Sequence, residues 1–280
     1  MSEWTTVIKP KKSLLDIDLK GVWLYRDLIR MYVRRDIVTV YKQTILGPLW
    51  FLIQPMLTTV MYMFVFGGLA GISTDGLPQA LFYMAGITLW NYFSTVFNKC
   101  SNVFAANSSV FGKVYFPRLV VPISGAISNL LQFLMQFCLF LAFFCYYAFF
   151  TDAPIHMNAT ALLLPVLIVM VAGHAMSWGL IITSLTTKYR DLTLLVTFGL
   201  QLFMYATPVI YPLSSAPEKF RDILSFNPLT SIFEAFKYGW LGSGSFSWWG
   251  LLYSFGFLCV TTFLAVIIFS RVERNFMDTV

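Results

Sequence analysis

The stretch YKQTILGPLWFLIQP, residues Tyr41 to Pro55, decides how the rest of this chain is read. Before it the sequence is basic and water-facing; at Gly47-Pro48 it breaks, and from there begins the first long apolar run. Proline in the first turn of a helix is already set to the helical φ and sacrifices no hydrogen bond, so Pro48 marks the start of a membrane-crossing helix through Trp50, Phe51 and Leu57. Lys42 then stays at the level of the lipid headgroups. The segment before Pro48 is expected to lie on a membrane, and most of the chain beyond it within one.

Composition agrees with that division. Of 280 residues, 58% are hydrophobic and 11% charged, and the mean hydropathy is +0.72, far more apolar than the usual soluble domain. The expected class is an all-α polytopic membrane protein. A net charge of +6 would suit nucleic acid, yet most of the cations stand beside apolar runs, as they do at cytoplasmic membrane flanks, so no nucleic-acid partner is expected. Cys100, Cys138, Cys145 and Cys259 show no paired metal spacing, and all but Cys100 fall deep in apolar runs, where cysteine acts as a small apolar residue. Lys9, Lys11 and Lys12 have no apolar stretch behind them, so a cleavable signal peptide is not expected.

From Val22 to Arg34 the pattern is helical, with Arg26, Arg30 and Arg34 four apart on one side and Leu24, Leu28 and Met31 on the other. It is too short and too charged to cross a bilayer. An interfacial helix fits, its arginines near anionic headgroups and its leucines among acyl chains.

Six apolar segments come next, at about 48–70, 80–105, 118–150, 160–185, 192–213 and 247–270, each long enough for a hydrocarbon core of about 30 Å. Pro122 is expected to kink the third. Counting cations orients them: sixteen lysines and arginines fall on one side, and three, Lys219, Arg221 and Lys237, on the other, beside Glu218, Asp222 and Glu234. Both termini are then cytoplasmic. The segment from Thr207 to Phe246 is too apolar for an external loop, and the run from Asn227-Pro228 to Gly242 is too short to span. It reads as a re-entrant or interfacial pair, about 216–226 and 228–241, with Asn227 capping the second helix and Gly242 ending it.

The predicted layout is thus a cytoplasmic segment, 1–47, with the amphipathic helix; a six-helix transmembrane domain, 48–271, with two re-entrant helices between the fifth and sixth; and a cytoplasmic tail, 272–280. No phosphate-binding Gly-x-x-x-x-Gly-Lys-Ser/Thr loop, His-Glu-x-x-His or Gly-x-Ser-x-Gly motif is present, so the chain is expected to hydrolyse no ATP, bind no metal or cofactor and catalyse nothing itself. Asp16-Ile17-Asp18 is formally an Asp-x-Asp, but it stands alone and reads as a solvated turn. The spans lack a central Asp or Glu for ion coupling, and His174, their central ionisable group, reads as a hydrogen-bonded packing residue. A membrane-bound glycosyl- or acyltransferase, the rival from another class, would have to work with Asp16, Asp18, His156 and His174.

The spans do carry uncharged polar stripes: Trp50, Gln54, Thr58 and Tyr62 on the first; Ser124, Ser128, Gln132 and Gln136 on the third; Thr193, Thr197, Gln201 and Tyr205 on the fifth. Unpaired polar groups are costly in hydrocarbon, so each stripe either bonds to another helix or faces a conduit. Polar and aromatic walls suit a sugar polymer, whose hydroxyls hydrogen-bond and whose ring faces stack. Between spans two and three, Asn107-Ser108-Ser109-Val110-Phe111-Gly112-Lys113 is compact and ends in glycine. It is either an ordinary connection or a short helix across the membrane face, shaped for a groove on a cytoplasmic partner.

Several of these segments together resemble one family. YKQTILGPLWFLIQP, FGKVYFPRLVVP (111–122), KYRDL (188–192), TPVIYPLSSAP (207–217) and FNPLTSIFEAFKYGWL (226–241) are similar, in order, to membrane subunits of type-2 ABC exporters for lipid-linked polysaccharides, among them O-antigen, teichoic acid and capsule permeases. The resemblance to O-antigen permeases implies a multi-pass protein of the bacterial inner membrane. It implies a homodimer working with two copies of a separate ATPase, in which ATP and Mg are bound, and a polyprenyl-linked polysaccharide as cargo. On that template Asn107 to Lys113 couples to the ATPase, and Arg34, Arg35 and Lys42 form the portal for a lipid pyrophosphate. Trp50, Gln54, Thr58, Tyr62, Gln201 and Tyr205 line the conduit. Pro208, Tyr211, Asn227, Pro228 and Phe233 belong to the outer gate. The family pattern often has arginine where this chain has Lys237.

Overall fold

In a computed structural model, residues 19–42, 46–114, 116–188 and 191–279 are described. Their regular structure is all helical, without a strand among the described residues. The Asp16-Asp18 pair and Arg190 lie outside them.

The amphipathic segment is longer than its arginine spacing predicts, running as α1 (Leu19–Leu24) and α2 (Arg26–Lys42). Its apolar side is divided. Tyr25, Leu28, Ile29 and Tyr32 pack onto a cluster with Phe111, Phe116 and Val120, whereas Leu24 and Met31 stay exposed. Arg26 and Arg30 satisfy themselves locally, Arg26 over the Trp23 ring and Arg30 with Asp27 at 2.9 Å.

A short 3₁₀ turn at Gly47–Leu49, with Pro48 in it, opens α3 (Trp50–Tyr62), which ends in a π-helical stretch, Met63–Leu69. The break read from Gly47-Pro48 is therefore real, and Gly47 adopts a positive φ of 49° there. α4 (Gln79–Ser101) follows, then α5 (Val103–Phe111), α6 (Val120–Phe150), α7 (Leu164–Lys188) and α8 (Leu192–Tyr205). Pro122 falls in the first turn of α6, where the missing N–H has no partner to lose, so the expected kink does not form and the helix runs unbroken for 31 residues. The last elements are α9 (Glu218–Ser225), α10 (Pro228–Leu241) and α11 (Trp248–Thr279).

Among the described residues, four helical stretches are long and apolar enough to cross a membrane: Gly47–Leu69, Val120–Phe150, Ala159–Thr186 and Trp248–Val272. Two of the six expected spans fall short of that standard for different reasons. α4 has the length, but Asn91, Asn98 and Lys99 lower its hydropathy, and it is buried along most of its course between α6 and α7, where it meets protein rather than lipid. α8 is apolar but has 14 residues, about 21 Å of helix against a core of about 30 Å. The rest of the segment expected to span with it, from Ala206 to Pro212, is turn.

The core centres on α4. Phe82, Tyr83, Phe93 and Val96 pack against α6, α7 and α10 through Phe133, Phe140, Val171, Phe233 and Phe236. Glycine permits the closest approaches: a Cβ at Gly179 of α7 would stand 2.5 Å from Cys100 Cβ and 2.9 Å from the Phe97 carbonyl oxygen. α7 and α11 are joined by two polar ties, His174 Nε2 with Ser254 Oγ at 3.1 Å and Ser177 Oγ with Thr262 Oγ1 at 2.8 Å. His174 is therefore a packing histidine, as its isolation in an apolar run predicts, and His156 stands apart from it, exposed beside the end of α10.

Candidate functional site

Helix α2 meets the bundle at a polar junction built on Asp36. Its Oδ2 accepts from Lys99 Nζ of α4 and, at 3.1 Å, from Ser128 Oγ of α6. Its Oδ1 accepts from Arg35 Nη2 at 2.8 Å and Nε at 3.1 Å. Lys99 also donates to Ser128 Oγ at 3.0 Å. The lysine stem can lie this close to α6 because position 125 is glycine, where a Cβ would stand 3.0 Å from Lys99 Cδ. Burial pushes the Asp36 carboxyl up, but the hydrogen bonds and charges of Lys99 and Arg35 outweigh it and hold the group below the usual aspartate range.

Beside this junction is a cavity of about 380 Å³, lined by Arg35, Thr39, Phe51, Lys99, Asn129 and Gln132 among others. It joins the interface helix to the first turns of α3 and to the polar face of α6. Its lining combines two cations, Arg35 and Lys99, with the Asp36 carboxylate that pairs with both, two side-chain amides and the Phe51 ring. Of the three expected portal residues, Arg35 lines it; Arg34 and Lys42 are exposed on α2 and do not. Lys99 is the residue that sequence reading passed over. It counted there as one more cytoplasmic cation; the signal was a lysine inside an otherwise uncharged 23-residue helix.

The polar stripes have different fates. On α6, Ser128 is held by Asp36 and Lys99, and Gln136 Oε1 accepts from Asn91 Nδ2 at 3.2 Å, so these residues tie helices together. On α3 and α8, Trp50, Gln54, Gln201 and Tyr205 are exposed, Thr58 bonds back to the Gln54 carbonyl at 2.9 Å, and Tyr62 reaches Met204 Sδ at 3.5 Å. That last contact is half-buried and joins the end of α3 to α8 at a residue outside the α8 stripe.

Residues Asn107 to Phe111 lie in α5, which bends at Asn107 (φ −120°, ψ 16°). Phe104 and Phe111 anchor the helix, in contact with Phe269 and Phe116, and the Arg118 guanidinium covers both rings at 5.8 and 5.4 Å. Ser109, Gly112 and Lys113 remain exposed, and Ser108 and Val110 are half-buried. The helix thus has a clamped aromatic side and an exposed side formed by Ala105, Ala106 and Ser109.

Four of the five residues assigned to the outer gate come together. Asn227 caps α10, its Oδ1 accepting from Leu229 N at 3.0 Å while Nδ2 donates to the Ala206 carbonyl and to Thr207 Oγ1, each at 2.9 Å; Pro228 is the first helical residue. Lys237, 2% exposed, donates to the Pro208 carbonyl at 2.6 Å and lies 4.1 Å from the centre of the Phe82 ring. Tyr211 donates to the Tyr205 carbonyl at 2.8 Å. Phe233, the fifth, is fully buried in the main core. One cation thus bonds the turn after α8 to α10 and α4 at a single point, a task for a compact ammonium with separately aimed donors.

Residues 27–241 match the ABC-2 type transporter family. The chain is 26% identical over 255 residues to an O-antigen export system permease protein RfbA of Klebsiella pneumoniae, covering 90% of this chain and 94% of that protein. It is 27% identical over 222 residues to the protein of the same name from Myxococcus xanthus, covering 78% and 82%.

Proposed function

This chain belongs to the ABC-2 type transporter family, and from that premise we propose that it is the channel-forming permease subunit of an exporter for undecaprenyl-pyrophosphate-linked O-antigen polysaccharide. The observation that carries the reading is the likeness to O-antigen export permeases along nearly their whole length. Family membership implies an ABC ATPase as partner; the proposal is that two copies of this chain and two of that ATPase form the working unit, with ATP and Mg bound in the latter. Both termini are assigned to the cytoplasm.

In this reading the Arg35–Lys99 cavity receives the pyrophosphate headgroup. Arg35 and Lys99, which in this structure pair with Asp36, turn to its charge, and Asn129 and Gln132 donate to its remaining oxygens. The exposed side of α5 meets the ATPase, so a rigid-body motion there moves α4 and α6, between which it is strung. The exposed stripes of α3 and α8 form one wall of the passage, and a second copy supplies the other. The assembly at Asn227, Pro208 and Lys237 closes the outer end.

The test is a strain lacking this chain, assayed for surface polysaccharide and for lipid-linked glycan retained at the cytoplasmic face. Loss of the first, accumulation of the second and restoration by the wild-type chain are expected. Unchanged surface polysaccharide in that strain sinks the reading; loss of a different exported lipid or drug instead assigns the same machinery another cargo. Purified with its ATPase, the complex should show glycan-stimulated hydrolysis that disruption of Val110 to Lys113 abolishes.

A further inference from the structure

A cavity of about 560 Å³ lies between α9, α10 and the first turns of α11. Its floor is Glu234, a carboxylate only 2% exposed. Oε2 accepts from the Ser245 N–H at 3.0 Å, while Oε1 has no hydrogen-bond partner among the described residues. Burying a carboxylate oxygen without a donor is costly, so the site calls for a ligand that brings one. Above it, Gly244 adopts φ +106°, and a Cβ there would stand 2.9 Å from Glu234 Oε2. The loop covers the carboxylate with backbone alone, a close approach that only glycine allows.

The surroundings select the donor. Among the described residues no group of three His, Cys, Asp or Glu is placed to hold a metal ion, and the volume is many times the roughly 30 Å³ of a water molecule. Lys237, one turn along the same helix, already supplies a buried positive charge, which lessens the gain from a second cation. The walls instead offer the hydroxyls of Ser231 and Ser247, the carboxylate of Asp222, and the rings of Phe226 and Tyr253. Hydroxyl and carboxylate acceptors beside aromatic faces match a sugar ring, with its equatorial hydroxyls and apolar C–H faces.

We propose that this cavity binds a pyranose unit, the Glu234 carboxylate turning so that Oε1, closed off in this structure, accepts from one sugar hydroxyl while the ring face lies on Phe226 or Tyr253. The assignment rests on glycan export as the function and adds to it a saccharide contact away from the headgroup cavity.

The full chain with its ATPase in lipid nanodiscs is probed by saturation-transfer NMR, with D-glucose, D-galactose, D-mannose, L-rhamnose and N-acetyl-D-glucosamine as ligands. Transfer to the ring protons of at least one sugar is expected. In Glu234→Gln, which keeps an acceptor for Ser245 but turns the other atom into a donor, affinity should fall about tenfold or more, the range for a hydrogen bond to a charged group. Asp222→Asn, at an exposed position, should weaken it less while leaving the fold untouched, and Ser231→Val reads the same wall if the Glu234 variant does not fold. No transfer with any sugar, transfer unaltered by all three variants, or a Ca²⁺ titration that saturates Glu234 and excludes sugar would overturn the assignment. If surface polysaccharide still depends on the chain, the pocket alone fails. Sugar binding in a chain whose deletion leaves surface polysaccharide intact would instead leave the pocket standing and remove the export reading.

Discussion

The Asp36 junction can be tested by a double-mutant cycle with Lys99→Met and Asp36→Asn. The magnitude is set by the surroundings. The two side chains are 36% and 17% exposed, between a surface ion pair, worth about 0–1 kcal/mol, and a buried one, whose disruption costs about 3–5 kcal/mol. Methionine keeps most of the lysine stem across Gly125, so the packing is retained and the loss is electrostatic. Arg35 stays bonded to Oδ1 in the single Lys99 variant, which spares the carboxylate from standing unpaired. A coupling energy of about 1–2 kcal/mol is expected, read from SDS-induced unfolding of the detergent-solubilised chain. A value within about 0.3 kcal/mol of zero would show that α2 is not held to α4 by this pair, the usual error of such cycles being of that size.

The pH dependence is fixed by the direction of the Asp36 shift. Burial raises its pKa, and the donors Lys99 and Arg35 lower it by more, so the folded value lies below the unfolded one of about 3.9. A depressed carboxyl contributes stability that is fully present above its unfolded pKa and lost as pH falls through the folded value. The coupling should therefore be flat from about pH 5 to 8 and decline only in stronger acid. A decline near neutrality would place the titration in some other group.

Three further outcomes are expected. Gly86→Ala directs a Cβ at the Val209 carbonyl oxygen and to 3.1 Å from its carbon; with helix backbone on one side and a buried turn on the other, it should destabilise by about 1–3 kcal/mol, seen as a lowered Tm, and an unchanged Tm contradicts that approach. Lys237→Met leaves the Pro208 carbonyl without its donor and should cost about 1–3 kcal/mol in the same assay; a gain in stability would mean that desolvation of the ammonium dominates. Ser109→Trp, on the exposed side of α5, should change stability by no more than about 0.5 kcal/mol yet abolish glycan-stimulated ATPase activity; normal stimulation would move the docking surface elsewhere.

The parts of the fold that local chemistry controls could be read in advance. Pro48 and Gly47 at the break, Asn227 and Pro228 at the start of α10 and Gly242 at its end act through φ, a missing N–H or a cap, and each stands where its residue type predicts. The interface helix was legible in kind but not in extent, because Ile37, Val40 and Lys42 extend it past the arginines that announced it. The span count was the weakest reading. A fourth-helix sequence with Asn91, Asn98 and Lys99 in it resembles a span only if its neighbours are known, and whether those residues meet lipid or protein is a tertiary fact. The same holds for Lys99 and Glu234: residue type fixed their charge, but only packing made one a junction and left the other with an unpaired oxygen.

The three polar stripes carry the argument one step further, because sequence makes them equivalent and structure does not. Hydrogen bonding uses Ser128 and one end of Gln136 on α6: Ser128 is bonded to Asp36 and Gln136 Oε1 accepts from Asn91, while Gln136 Nε2 is buried without a partner among the described residues. Trp50, Gln54, Gln201 and Tyr205 remain exposed together with Leu194, Leu195 and Phe198 on α8 and Leu57, Val60 and Met61 on α3. Hydrocarbon would satisfy the second set and penalise the amides of the first. A surface mixing both is reconciled if it faces a wet passage along the polar line and another protein surface along the apolar one. One chain has no wall to place opposite, so the proposed second copy is called for by the unused hydrogen-bonding capacity of α3 and α8 as well as by the family. Cysteines introduced at Val60 and Leu195 should then cross-link between copies in the native membrane; cross-linking found only within a single chain, with none between chains, would break that step.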